Sequence, residues 1–326
     1  MQRCYQGRIN LNKICDGIIG LAIGDAIGVP VEFRSRQELT KAPVVSMREY
    51  GTHYQPRGTW SDDTSLTLAL MDSIIEKNEI DYVDIMNRFS NWLLYNDYTA
   101  TGEVFDVGNS TSRAIMNYGR GVNPLECGGI SEYENGNGSL MRILPTAYYL
   151  RKHSDLEIES QMNIIYNISA LTHRHPISLI GCGIYINIAM NLLEGMLSLY
   201  ESVEQGIKTA FEYYERKAWN DVYAYLRLMD LSIFLELPDS EIKSSGYVVH
   251  TLESALWCLL NTNSYAECVL KAVNLGDDTD TVGAVVGGLA GIYYGLEKIP
   301  KDWLDVLARR QYIEELCEEL LKAINF

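Results

Sequence analysis

The stretch "NLGDDTDTVGAVVGGLAGIYYG", residues 274–295, places clustered carboxylate and hydroxyl side chains directly before a run of small and apolar residues. Gly283, Gly287 and Gly291 recur at four-residue steps, so they share one face of a predicted helix. Each glycine costs a helix interior about 1 kcal/mol relative to alanine, so a stripe of them indicates unusually close approach of another backbone. Close packing is the expected direct role of the stripe, and its consequence would be that the ends of two helices meet.

A second glycine stripe lies near the start of the chain, in "DGIIGLAIGDAIG", residues 16–28. Apolar residues with helical spacing also occur at Leu66, Leu70 and Ile74, at Ile85, Phe89, Trp92 and Leu93, and in the amphipathic stretch 305–324, "DVLARRQYIEELCEELLKAI". No segment shows a convincing alternation of apolar and polar residues. The sequence therefore predicts an all-α protein.

Three stretches interrupt the helical pattern: residues 34–60, 119–138 and 237–247. They contain proline, glycine and other turn-forming residues, and they read as long irregular connections. Long loops in a compact helical domain are more often functional than idle. No linker or repeat of fixed period divides the chain, so residues 1–326 are expected to form a single domain.

Composition excludes several classes of protein. With 47% hydrophobic and 21% charged residues the chain is an ordinary globular protein. A formal net charge of −16 disfavours binding to nucleic acid or to an anionic membrane. The N-terminus has no apolar signal core, and the apolar runs fall short of the roughly 18 residues of a membrane span. The seven cysteines are scattered without a CxxC pair, so we expect a reducing compartment and a cytoplasmic protein.

A second acidic cluster occurs in "GTWSDDTSLTLAL", residues 58–70. Ser61 is a natural N-cap, and Asp62 and Asp63 would lie in the first helical turn, where the helix dipole favours negative charge. Capping explains one of these aspartates comfortably. It explains less well a pair whose arrangement is repeated at Asp278 and Asp280.

Carboxylates and hydroxyls are hard oxygen donors, which suit Mg²⁺, Mn²⁺ or Ca²⁺ and not zinc. A self-contained EF-hand is excluded, because a loop that starts at Asp278 has Gly283 at its sixth position but Leu289 at its twelfth, where a glutamate is required. Glu32, which follows the first glycine stripe in "GLAIGDAIGVPVEF", is a further candidate ligand.

A family resemblance connects these pieces. The motifs "GxxxGDAxGxxxEF", "SDDT", "GNGSLMR", "LTHRHP" and "GDDTDTVGAVVGGLAG" occur in this order over residues 17–291 and resemble the ADP-ribosylglycohydrolase family. The resemblance implies a compact orthogonal helical bundle of the ADP-ribosylglycohydrolase type, with two Mg²⁺ or Mn²⁺ ions in a cleft. By the family's pattern the metal-site positions are Glu32, Ser61, Asp62, Asp63, Asp278, Asp280 and Thr281, with Ser61 where threonine is common.

The charge of this set agrees with the implied metals. The set contains five carboxylates, and two divalent cations would leave the site nearly neutral. Without cations, like charges a few ångströms apart would take up protons or push the loops apart.

The resemblance also implies an activity, which is hydrolysis of the glycosidic bond between ADP-ribose and a protein side chain. Either Glu32 or Asp63 could accept the proton of the attacking water, and the sequence does not choose between them. Asp106 and Asn109, in "EVFDVGNSTSRAIM", resemble the dinitrogenase reductase-activating branch, which acts on ADP-ribosyl-arginine. The alternative is that Asp106 caps a helix that begins near Asn109.

Further candidate residues would bind the substrate. In "ENGNGSLMRILP" we expect consecutive backbone N–H groups at a helix start to hold a diphosphate through Gly136, Asn137, Gly138 and Ser139. His173 resembles the family's histidine on the substrate side, and Tyr247 is a candidate to stack on adenine or border the cleft.

Other functions remain open at this point. The same fold could act on O-linked (serine) ADP-ribose or on free ADP-ribose derivatives, since acceptor choice depends on loop shape. A non-catalytic ADP-ribose-binding or crystallin-like structural protein is the alternative from another class, and retention of the whole metal-site set argues against it. A helical phosphohydrolase is disfavoured, because no histidine of this chain precedes an aspartate. The expected partner is an ADP-ribosylated protein or an ADP-ribose-containing small molecule.

Overall fold

The computed structural model describes residues 11–325, and within that range the fold consists of helices and connecting loops. The helices are α1 (Leu11–Gly28), α2 (Arg36–Lys41), α3 (Asp62–Lys77), α4 (Tyr82–Tyr95), α5 (Asn109–Gly119), α6 (Pro145–Lys152), α7 (Ile158–Ala170), α8 (Pro176–Glu194), α9 (Leu199–Arg216), α10 (Leu231–Leu235), α11 (Val248–Leu260), α12 (Tyr265–Val273), α13 (Thr279–Tyr294), α14 (Lys301–Val306) and α15 (Arg310–Asn325). Extended backbone pairs in this part of the chain only at two isolated bridges, Gly129 with His173 and Gly136 with Tyr247. The all-α prediction is confirmed.

The centre of the fold is the pair formed by α1 and α13, which pack together more extensively than any other two described elements. Their glycine stripes face each other: a Cβ on Gly20 would lie 2.5 Å from the carbonyl oxygen of Gly287, and one on Gly24 would collide with the backbone of Gly283. The contacts run in opposite order along the two helices, so the pair is antiparallel. As the sequence predicts, close packing brings two helix ends together.

The ends that meet are the C-terminal end of α1 and the N-terminal end of α13. Thr279 Oγ1 donates a hydrogen bond to the carbonyl oxygen of Gly28 at 2.9 Å. Just beyond, Phe33 N donates to Asp277 O at 2.7 Å, and Asp277 N donates to Arg34 O at 2.8 Å. These bonds hold the segment after α1 beside the start of α13.

Other helices surround this pair. α8, α11 and α12 pack on α13, whereas α15 packs on α1, and α3 contacts both members of the pair. The buried hydrophobic residues of these elements form one continuous core. Nothing in this core separates the described residues into independent units.

Three local expectations differ from the structure. The connection 34–60 contains α2, which begins with a capping box in which Ser35 and Glu38 each accept from the other's backbone N–H. The amphipathic stretch 305–324 is not one helix. A turn separates α14 from α15, and Arg309 in this turn adopts a left-handed backbone with a φ of 44°. No α-helix starts at residues 136–139, since the next one, α6, begins at Pro145, and proline suits the first helical turn.

Two segments, Asn12–Val31 and Pro176–Glu194, are long and apolar enough to cross a membrane by length and composition, contrary to the expectation from the apolar runs. The most apolar 18 residues of each segment are 100% and 67% buried within the protein, respectively, as in core helices of a folded domain. The six cysteines of the described residues are free and buried, and Cys4, like the rest of residues 1–10, lies outside the described range.

Candidate active site and metal centre

Carboxylates from three parts of the chain meet where α1 ends and where α3 and α13 begin. Oxygen atoms of Asp25, Asp63 and Asp280 lie within 4.8 Å of one another, as do those of Glu32, Asp278 and Asp280. Asp280 belongs to both groups and joins them. The structure thus brings together chain segments that are far apart in sequence, as expected from the two acidic clusters.

The two hydroxyl residues of the expected set point at Asp63. Ser61 Oγ accepts a hydrogen bond from Asp63 N at 3.3 Å, which makes Ser61 the N-cap of α3, and it donates to Asp63 Oδ2 at 3.0 Å. Thr281 Oγ1 donates to the same Oδ2 atom at 3.3 Å. These bonds fix the rotamer of Asp63 and leave its second oxygen, Oδ1, without a hydrogen-bond partner among residues 11–325.

Asp25 is a part of the site that the sequence reasoning missed. Its Oδ1 accepts from Ser61 N at 2.9 Å, and its Oδ2 accepts from Thr64 N at 3.0 Å and Thr64 Oγ1 at 2.6 Å. The carboxylate therefore anchors the first turn of α3 against α1. The sequence does contain a signal for this role. Asp25 is a charged residue within an apolar, glycine-rich helix, and a fully buried aspartate needs hydrogen-bond partners.

Burial raises the pKa of each carboxyl group in this cluster. Burial, opposed by the hydrogen bond from His53, raises the pKa of Glu32 to about 8. Burial also raises the pKa of Asp25 to about 7, despite the hydrogen bonds that it accepts. Burial and neighbouring carboxylates raise the pKa values of the remaining members, Asp62, Asp63, Asp278 and Asp280.

The donor set fits hard divalent cations. Asp63 Oδ1 and Asp280 Oδ2 are buried carboxylate oxygens with no hydrogen-bond partner in the described chain. Among the described residues, His53 is the one basic side chain that forms an ion pair with Glu32. A buried anion without a compensating donor is costly, and oxygen ligands without sulfur or nitrogen are typical of Mg²⁺, Mn²⁺ and Ca²⁺ sites.

A cavity of about 440 Å³ opens onto these carboxylates. Ten of the residues expected from the sequence line it: Glu32, Asp62, Asp106, Asn109, Gly136, Asn137, Gly138, His173, Asp278 and Thr281. Asp63 and Asp280 are fully buried beside it. A cavity of about 500 Å³ elsewhere, along α9, has no such cluster of carboxylates, so chemistry and not volume identifies the site.

The loop 136–138 forms another part of the cavity wall, next to Asp278. Asn137 Nδ2 donates to Asp278 Oδ2 at 2.9 Å, and Asn137 N donates to Gly246 O at 3.1 Å. His173 packs so closely on this loop that a Cβ on Gly138 would lie 2.8 Å from its Cε1. Burial lowers the pKa of His173 to about 3, so its imidazole is neutral and can donate one hydrogen bond into the cavity.

The cavity also meets the N-terminus of α5, where Gly108, Asn109, Ser110 and Thr111 line it. Backbone N–H groups at such a helix start attract anions. The sequence predicts a helix start at residues 136–139. The structure has none there, and the helix start suited to an anion is that of α5.

Two expected substrate residues take other positions. Ser139 is buried, accepts a hydrogen bond from Ser169 Oγ at 2.8 Å and lies 3.4 Å from Cys182 Sγ, so it faces the core. Tyr247 forms a backbone bridge to Gly136, but its side chain packs on His250 and is not part of the cavity wall. The aromatic residues that line the cavity are Phe33 and Tyr133, both exposed in surface loops without a distinctive sequence pattern.

Asp106 lies at the mouth of the cavity and has a left-handed backbone, with a φ of 54°. It does not cap α5, whose N-cap is Gly108 without a side-chain hydrogen bond. The alternative role for Asp106 is therefore wrong. His53, which sequence reasoning did not single out, contacts Glu32 through Nε2 and lies 3.9 Å from Asp106 Oδ1.

Comparison with known proteins places the chain in a family. The sequence profile of the ADP-ribosylglycohydrolase family matches residues 8–325. The chain is 32% identical over 319 residues to the "ADP-ribosylarginine hydrolase Tri1" of Serratia proteamaculans (strain 568), a match that covers 95% of this chain and 79% of that protein.

Two further matches extend over nearly the whole chain. The "ADP-ribosyl-[dinitrogen reductase] glycohydrolase" of Rhodospirillum rubrum is 31% identical over 311 residues, with 91% of this chain and 90% of that protein covered. A solved structure described as an "ADP-ribosylglycohydrolase-related protein complex" superposes with a TM-score of 0.76 at 30% identity, covering 96% of this chain and 98% of that one. The similarity in fold and in sequence therefore covers every element that contributes to the cavity.

Proposed function

Because the chain belongs to the ADP-ribosylglycohydrolase family, we propose that it removes ADP-ribose from arginine side chains of modified proteins in a reaction that requires divalent cations. The relatives at 31–32% identity include one named for hydrolysis of ADP-ribosylarginine and one named for ADP-ribosyl-dinitrogen reductase. The observation that carries the proposal is the pair of carboxylate groups that share Asp280 at the base of the cavity.

The two overlapping clusters of carboxylates, which share Asp280, favour the binding of two cations. Asp63 and Asp280 each offer a buried oxygen without a donor, while Glu32 and Asp278 face the cavity side of the cluster. When bound, Mg²⁺ or Mn²⁺ supplies the positive charge that these carboxylates lack and Lewis acidity toward ribose hydroxyls or water. Ser61, Asp62 and Thr281 complete the proposed ligand set.

Individual side chains of the cavity have separate roles in the hydrolysis. The bond between the anomeric carbon of the ribose and the guanidinium nitrogen breaks, and the oxygen of a water molecule forms a new bond to that carbon. We assign acceptance of the water's proton to Glu32, because Glu32 lines the cavity whereas Asp63 lies fully buried behind it. The proton that Glu32 accepts passes on to the departing guanidine nitrogen, so Glu32 ends the reaction in its starting protonation state.

The remaining cavity walls orient the substrate. The start of α5 provides backbone donors for the diphosphate, the loop 136–138 forms the adjoining wall of the cavity, and neutral His173 donates a hydrogen bond to the same substrate. Asp106 at the cavity mouth supports an arginine acceptor, because a carboxylate attracts a guanidinium in a planar, hydrogen-bonded arrangement.

The test is release of ADP-ribose from arginine-, serine- and diphosphate-linked substrates, followed by mass spectrometry of the products. We expect release from the arginine-linked substrate with Mg²⁺ or Mn²⁺, and its loss in excess chelator or in Asp62→Ala. Full activity in chelator would contradict the cation requirement. Preference for a serine-linked substrate would instead contradict the assignment of the acceptor.

A further inference from the structure

The loop that precedes α3 folds back against the end of α1 beside Glu32. Thr52 N donates to Pro30 O at 3.0 Å, and Thr52 Oγ1 donates to the backbone oxygen of Glu32 at 2.6 Å. Gly51 is pressed so closely on Pro30 that any Cβ there would collide with the Pro30 carbonyl group. The backbone on one side of His53 is thereby held in a set position relative to Glu32.

The side chain of His53 makes the third contact with Glu32. Its Nε2 forms a hydrogen bond with Glu32 Oε2, and when cations hold Glu32 in its ionised form the carboxylate only accepts, so the imidazole is then the donor. The ring lies between Phe33 and Phe105, with centroids 6.0 and 5.2 Å away. The imidazole thus packs near both aromatic rings while its Nε2 reaches the carboxylate.

The same loop is tied to the segment that carries Asp106. Gln55 Nε2 donates to Glu103 Oε2 at 3.4 Å, and Thr101 Oγ1 donates to Gln55 Oε1 at 3.5 Å. Asp106 Oδ1 lies 3.9 Å from His53 Nε2. His53 therefore stands between a carboxylate that belongs to the cation cluster and one that belongs to the cavity mouth.

We propose that His53 is a positioning residue, whose hydrogen bond to one oxygen of Glu32 leaves the other oxygen directed toward Asp278, Asp280 and the cations between them. The inference rests on the cation-dependent reaction proposed above and adds the residue that orients one of its carboxylates. Hydrogen bonds to ligand groups commonly change metal affinity or activity by 10- to 100-fold when removed. His53 touches neither the cavity nor the reacting atoms in this arrangement.

Two substitutions separate the hydrogen bond from the packing of the ring. His53→Phe keeps an aromatic ring between Phe33 and Phe105 but has no donor, whereas His53→Gln keeps an N–H donor without the ring. His153→Ala is the matched control, since His153 stacks on Tyr149 at the end of α6 and its Nε2 has no hydrogen-bond partner in the described chain.

The primary readout is Mn²⁺ affinity measured by isothermal titration calorimetry, with a melting curve in chelator to verify folding. We expect His53→Phe to weaken Mn²⁺ binding by about 10-fold or more, with His53→Gln and His153→Ala within about 3-fold of the wild type. If His53→Phe does not fold, His53→Ala serves as the donor-free variant. Weak binding by His53→Gln together with wild-type binding by His53→Phe would show that packing matters and overturn the proposal.

Kinetics supply a second, independent readout. At saturating Mn²⁺ the donor-free variant is expected to lose kcat on the arginine-linked substrate, with KM within about 2-fold, because Glu32 and not the substrate pocket is disturbed. Wild-type affinity and kcat in His53→Phe would overturn the role of His53. Failure of the wild-type protein itself to bind Mn²⁺ would instead contradict the proposed function.

Discussion

Asp63 shows how a single residue can favour function over stability. It is fully buried, accepts hydrogen bonds at Oδ2 and has no partner at Oδ1. An amide in its place would keep the acceptor and remove the buried charge. Native proteins retain such costly groups mainly where they serve a site.

Asp63→Asn is therefore expected to abolish Mn²⁺ binding and to raise the melting temperature in chelator at pH 8 by about 2 °C or more. The reason is that, when cations are removed, the wild-type carboxylate is either ionised with no donor at Oδ1 or protonated at a cost. Differential scanning calorimetry of both proteins in chelator checks the prediction. A lower melting temperature for Asp63→Asn would contradict the view that this carboxylate is destabilising without cations.

Glu32 leads to a pH dependence whose sign follows from proton counting. Its pKa rises from an ordinary value near 4.5 to about 8 in the folded protein, so between these values the folded state binds a proton that the unfolded state has lost. Stability due to this group is present at low pH and is lost as pH rises through that window. The raised pKa of Asp25, about 7, acts in the same direction.

In chelator we expect the melting temperature to fall by several degrees between pH 6 and pH 8.5, and saturating Mn²⁺ to remove or reverse that fall. Cations replace the protons on these carboxylates, so their affinity rises with pH. Calorimetry at both pH values, with and without Mn²⁺, measures the effect. A fall of equal size in the presence of Mn²⁺ would show that other groups cause it.

At the scale of elements, the packing of α1 on α13 decides whether a site exists at all. The glycine stripes allow these helices to approach at backbone contact, and this places the end of one beside the start of the other. Asp25 and Ser61 then attach the first turn of α3 to the same point. Helix packing thus brings together the chain segments that carry the carboxylates.

Gly24→Ala tests this dependence, because its Cβ would collide with the backbone of Gly283. Forcing these helices apart is expected to cost about 1–3 kcal/mol of stability and to weaken Mn²⁺ binding. Gly119→Ala is the control: it lies at the end of α5 with nothing within 4 Å of the new Cβ, so stability should be unchanged or slightly higher. Melting curves and Mn²⁺ titrations that do not distinguish the two variants would contradict the account.

The sequence predicts this level of organisation well for a physical reason. Glycine at regular helical steps and oxygen-bearing side chains at helix ends are local patterns with one main structural meaning. His53 has no such pattern, because its contact with Glu32 depends on the path of residues 51–55. The helix start expected at residues 136–139 is absent, although a glycine-rich stretch before apolar residues resembles one, because the backbone there pairs with Gly246 and Tyr247.

At the scale of the whole molecule, the site joins the beginning and the end of the sequence. Glu32 and Asp63 come from the first fifth of the chain, and Asp278 and Asp280 follow more than 200 residues later. Five of the chain's 43 acidic residues meet here in one cluster, whose charge protons or cations must neutralise. Folding and cation binding are therefore expected to be linked, with cations raising the stability of the entire domain.

Anomalous diffraction from crystals grown with Mn²⁺ tests the central claim most directly. The account predicts anomalous peaks within coordination distance of Asp63, Asp280, Glu32 and Asp278, at the base of the cavity that we propose holds ADP-ribose. Crystals with no anomalous peak there, or with Mn²⁺ bound only to surface carboxylates, would contradict it.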